Sequence, residues 1–225
     1  MKFLALLGRP AFLFALAAAG LSSCMSVKGS FSHTPTAVIT KRLPPMEITA
    51  DPGPLAMNDG ALPEDPLRLF KSELQHNVVE ATDTATYGYI RLVVTKVHTT
   101  RKGRSLQAAQ VVTMLVPSLF GAPLEWYNTD IEAEVQVMDA AGQLLGTYTG
   151  KGTSNVKVAM YHGYSQTDAP RLADVMALRQ ALDQVRPQLD TAATRLSPLL
   201  LAGGAVNNPT LPSSASSTST SSTKH

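Results

Sequence analysis

Cysteine is almost missing from this chain of 225 residues, with Cys24 the only one. A lone thiol has no intramolecular partner, so no disulfide framework holds the fold. Aromatic residues make up 6% of the chain, with a single tryptophan. Charge is sparse too, at 16% of residues, and 19 basic against 17 acidic side chains leave no surplus suited to nucleic acid. Recognisable catalytic chemistry is also absent. Gly150-Lys151-Gly152 fails as a phosphate-binding loop, because the positions that need Gly and Ser/Thr hold Leu145 and Gly152. A hairpin end, with glycines at positive φ, accounts for that stretch. His33, His76, His98, His162 and His225 show no metal-ligand spacing, and Ser165 lacks a nucleophile elbow. His162 alone has suggestive neighbours, Tyr161, Gly163, Tyr164 and Asp168, and is read as part of a polar loop whose aromatics cover the core. Glu132 and Glu134 fall on the solvated side of a strand. The expectation is a protein that is not an enzyme and needs no metal or cofactor.

What is present begins with the first 23 residues. Lys2 and Arg9 form a basic leader, followed by an apolar run from Ala11 to Ala19, too short for the ~20 residues of a membrane span. Leu21, Ser22, Ser23 and Cys24 come next. This quartet behind such a leader resembles the lipobox of bacterial lipoproteins. The resemblance implies cleavage before Cys24, several acyl chains (palmitate among them) on that residue, and durable membrane anchoring at ~0.8 kcal/mol per buried CH₂. Cleavage removes Lys2 and Arg9 and no acid, which leaves 17 basic against 17 acidic side chains. Met25 and Ser26 follow the cysteine, where an aspartate commonly retains such proteins in the inner membrane. The resemblance therefore implies the outer membrane, facing the periplasm.

Composition divides the chain into a signal peptide at 1–23, an acylated tether and lead-in at 24–63, an α+β domain at 64–190, and an extension with a Ser/Thr-rich disordered tail at 191–225. The lead-in is broken by prolines, with short strand-like pieces at Ala37 to Thr40 and Met46 to Thr49. Glu64, Asp65 and Pro66 start a helix whose apolar stripe is Leu67, Phe70, Leu74, Val78 and Ala81. Tyr87 to Val97 reads as a buried strand. Thr129 to Met138 alternates Ile131, Ala133, Val135 and Val137 with polar residues. Asp139, Ala140, Ala141 and Gly142 make a turn, Gln143 to Thr149 a returning strand, and Asn155 to Tyr161 a further one. Pro170 opens a second helix striped by Leu172, Val175, Leu178, Leu182, Val185 and Leu189, whose end Pro187 should fray or kink. The expected fold is α+β, an antiparallel sheet with two amphipathic helices packed on one face.

Residues 105–124 carry no charge and follow the basic turn Arg101, Lys102, Gly103 and Arg104. Three readings stay open: a buried helix or hairpin, a surface that docks to lipid or a partner through Leu115 and Phe120, and a membrane span weakened by Gln107, Gln110, Pro117 and Pro123. In layout the chain is similar to small cell-envelope lipoproteins of Gram-negative bacteria, which use compact α+β modules to assemble or regulate the envelope and its secretion channels. That resemblance implies a non-enzymatic binding or assembly module, held on the membrane by Cys24, with an envelope protein or lipid as partner. The alternative is a carrier of lipid or a small hydrophobic ligand using 105–124, and a hydrolase of unrecognised type is the third reading.

Overall fold

A computed structural model describes residues 39–80, 85–103, 105, 108, 112, 122–159 and 164–206. The strands are β1 (Glu47–Asp51), β2 (Tyr89–Lys102), β3 (Glu125–Met138) and β4 (Leu144–Val158), and the helices are α1 (Asp65–Asn77) and α2 (Ala169–Ala202). A 3-10 helix at Gly53–Met57 links β1 to α1. The strands form one four-stranded sheet in the order β1-β2-β3-β4. The α+β class is as expected, but the sheet is mixed rather than antiparallel. β1 pairs with β2 in parallel, and only the β2–β3 and β3–β4 pairings are antiparallel. The cause is topological: α1 lies between β1 and β2 in the chain, and a strand–helix–strand crossover returns the second strand in the direction of the first.

β1 also lies within the lead-in, where Leu43, Met46 and Leu55 are buried. α1 begins at Asp65 with Pro66 in its first turn, and Glu64 makes no capping bond. Asp65 instead receives two hydrogen bonds from Arg171 of α2, at 2.6 and 2.9 Å. Of the expected apolar stripe, Phe70, Leu74 and Val78 are buried and Leu67 only half-buried, with Leu69 buried beside them. The helix stops at Asn77, before Val78 and Ala81.

The turn at 139–142 is formed as expected. The carboxylate of Asp139 accepts from the N–H groups of Ala141 (2.9 Å) and Gln143 (2.8 Å), and Gly142 takes φ 80. Beyond it, the two expected strands are one continuous β4, and Gly150 to Ser154 is its middle rather than a hairpin end. Gly150 and Gly152 are there because α2 needs the space. A Cβ on Gly152 would collide with the carbonyl of Ala177, and one on Gly150 with that of Ala181. Glycine on the strand and alanine on the helix bring the two backbones together.

α2 crosses Pro187 and continues through Pro198 to Ala202, so the expected fraying does not occur. Its apolar contacts hold it beyond the first proline, with Leu189, Ala193, Leu196 and Leu200 all buried. The hydroxyl of Thr191 donates to the carbonyl of Pro187 at 2.9 Å. The main core joins Phe70 and Leu74 of α1 to Ile90, Leu92, Ile131, Val135 and Val137 of the sheet and to Leu178, Leu182 and Leu189 of α2.

The edge of β4 is closed by side chains of α2. Gln180 Oε1 accepts from the N–H of Thr153 (2.6 Å), Gln184 Oε1 accepts from that of Lys151 (3.0 Å), and Gln188 Nε2 donates to the carbonyl of Thr149 (2.7 Å). The fit is metrical: four residues of helix advance about 6 Å and two of strand about 6.6 Å, so a glutamine every fourth residue meets every second residue of the antiparallel strand.

Candidate functional sites on two sides of the sheet

β3 buries alternate residues from Glu125 to Val137. Its other side chains, Trp126 to Met138, belong to the outer face, on which Glu132 is aligned with Lys96 of β2 and Lys151 of β4. Lys96 Nζ lies 2.8 Å from one carboxylate oxygen of Glu132, and Lys151 Nζ lies 2.6 Å from the other. Hydrogen bonds from Lys151 and then Lys96 hold the Glu132 carboxyl down at about 2. Both lysines remain 74% exposed, so the triad can still meet a partner. It lies in an open depression of about 630 Å³ with Pro54, His98, Asp130 and Thr153. A β-bulge between Val94 and Lys96 sets the position of Lys96 opposite Glu132.

The inner face holds a second polar group. Thr99, Thr129 and Ser154 share one register row across β2, β3 and β4. Above them, Asp174 of α2 is 5% exposed. Its Oδ1 accepts from Asn58 (2.9 Å) and Thr129 (3.0 Å), and Asn58 also donates to Thr99 (2.7 Å). Among the described residues, Asp174 Oδ2 and Ser154 Oγ are buried without a hydrogen-bond partner. Burial raises the Asp174 carboxyl to about 6, against the opposing hydrogen bonds from Asn58 and Thr129, and nearby Asp59 adds to the rise. This polar row separates the main core from a smaller apolar cluster of Tyr127, Val156, Val158, Ala169, Leu172 and Ala173. In the same end of the fold, buried Glu125 pairs with Arg101, whose guanidinium stands 5.3 Å from the ring centre of Tyr127.

Of the residues singled out in the sequence, Glu132 is drawn into the lysine triad, and the Oε1 of Glu134 accepts from Gln136 at 2.7 Å. His98 is exposed beside Thr100, and His76 meets the carbonyl of Ser72. Cys24, Leu115, Phe120, His33, His162 and His225 lie outside the described residues, as does most of 105–124. Ser105, Ala108 and Val112 of that segment are helical and exposed. Among the described residues no cluster of three or more metal-ligating side chains occurs, and no helix is long and apolar enough to cross a membrane. Asp174 was missed, although its place four residues from both Pro170 and Leu178 puts an acid within the apolar stripe of α2, and Thr129 likewise continues the buried alternation of β3. No protein-family model matches the chain, and a search of curated proteins finds no significant match.

Proposed function

We propose that the chain is a cell-envelope lipoprotein, anchored through acylated Cys24 in the outer membrane and facing the periplasm, that binds another envelope component without catalysing a reaction. The reading takes α1 and α2 as amphipathic covers of one sheet face, with the other face left for a partner. The observation that carries the binding half is the outer-face triad, in which two well-exposed lysines converge on one glutamate within an open depression. Mixed charges held in fixed register give orientation and partner selectivity more than raw affinity. The anchoring half rests on Leu21-Ser22-Ser23-Cys24 behind a basic leader and an apolar run. A binding role is also favoured by the depth of Asp174, since a carboxyl 5% exposed under α2 is poorly placed to meet a substrate.

Two measurements test this reading. Cys24→Ala abolishes labelling by a fatty-acid precursor and releases the chain from the membrane fraction; retention of both overturns the anchor. In cells, crosslinking from a photoreactive residue at 153 captures one envelope component, and Lys96→Glu with Lys151→Glu reduces that capture about tenfold. Unchanged capture removes the outer face from the reading. Leu115→Asp with Phe120→Asp tests the contribution of 105–124: a partner or membrane contact predicts weaker association with unaltered circular dichroism.

A further inference from the structure

One end of the outer face differs in composition from its centre. The last register row places Lys102 of β2, Trp126 of β3 and Lys157 of β4 side by side. Trp126 is the only tryptophan of the chain and is half-buried, and both lysines are exposed. The adjoining row, Thr100, Asn128 and Asn155, carries no charge. Neither lysine is within ion-pair distance of a carboxylate among the described residues, whereas Lys96 and Lys151 both are. The aromatic is thus flanked by two cations with no acid in either row. β2 leads from this row directly into 105–124, where Val112 is 84% exposed.

We infer that this end of the sheet docks on an anionic phospholipid surface, with Trp126 at headgroup depth and Lys102 and Lys157 on phosphate oxygens. The inference rests on the lipoprotein reading, which supplies a membrane within reach. Indole favours the boundary between headgroups and acyl chains, being apolar in its rings and polar at its N–H. Lysines beside it gain from the negative surface potential of an anionic leaflet. The span also fits. The chain from Cys24 to Ile39 can extend to at most about 50 Å, and β2, 14 residues long, measures about 45 Å. An anchor at Cys24 therefore allows the far end of the sheet to rest on the same bilayer.

The lone tryptophan gives the test its signal. The full mature chain, kept unacylated by Cys24→Ala, is titrated with vesicles of phosphatidylcholine alone and of phosphatidylcholine with phosphatidylglycerol, while tryptophan emission is followed. Docking predicts a blue shift and quenching by brominated acyl chains with the anionic vesicles only, both weakened by salt. Lys102→Glu with Lys157→Glu weakens binding at least about tenfold, at unchanged circular dichroism. Lys102→Gln with Lys157→Gln, the milder pair, gives a smaller loss in the same direction and serves if the first pair fails to fold. Emission unmoved by anionic vesicles overturns the inference. So does the same shift with inorganic phosphate, which would mark a soluble-anion site, or with an acidic polypeptide in place of vesicles. Failure here leaves the anchor intact if Cys24→Ala still releases the chain in cells. Vesicle binding together with a wild-type Cys24 found unacylated in cells would instead remove the anchor and keep the docking.

Discussion

Asp174 and Glu132 stand on opposite sides of one sheet and are displaced in opposite directions. Asp174, under α2, is driven up to about 6 mainly by burial, while Glu132, between two lysines in water, is held down at about 2. Desolvation governs the inner face and pairing governs the outer one. The inner face is thus built by exclusion: glycines admit a helix backbone, and water leaves. The outer face is built by alignment, with register bringing opposite charges together while leaving them hydrated. A surface of the second kind can exchange its ion pairs for those of a partner at little cost, since exposed pairs contribute little to stability.

The largest predicted effect comes from breaking the exclusion. Gly152→Val forces a side chain into the backbone of α2 and should destabilise the fold by about 3 kcal/mol or more, read from the urea midpoint at neutral pH. A change below about 0.5 kcal/mol would mean that α2 does not need the glycine. Next is the pH response of the inner carboxyl. A folded-state pKa raised from 3.8 to about 6 means that the fold favours the protonated acid. Stability should therefore fall as pH rises through that window, by up to about 3 kcal/mol. Asp174→Asn should flatten the decline, with equal midpoints near the acid end and the variant ahead at neutral pH; a parallel decline in both proteins would contradict the assignment. The smallest effect is on the outer face. Glu132→Gln should leave the neutral-pH urea midpoint almost where it was. Its clearer trace is in an NMR titration, where the variant loses the carboxyl resonance that moves at about 2. The sign is opposite to that of Asp174, because stability from Glu132 is present above its ordinary 4.5 and is lost as pH falls toward about 2.

Local pattern made much of this legible. The alternation of Ile131, Ala133, Val135 and Val137, the Asp139 turn and the stripe of α2 each follow from a period that one element satisfies alone. What was misread depends on a second element. Gly150 and Gly152 look like turn residues until a helix backbone is found against them. Pro187 looks like a helix end until the packing beyond it is known, and the strand-like piece at 46–49 gains its parallel direction only beside β2. Asp65 looks like part of a helix start until Arg171 is found opposite. Asp174 was hidden by an apolar stripe that continues around it.

The glutamines of α2 bear on the order in which the chain folds. α2 follows β4 in sequence, so the β3–β4 hairpin can form while the groups later held by Gln180, Gln184 and Gln188 still face solvent. During that interval the strand is an open template, able to pair with another emerging copy. Docking of the helix ends the exposure, so each molecule is vulnerable for as long as its last element takes to arrive.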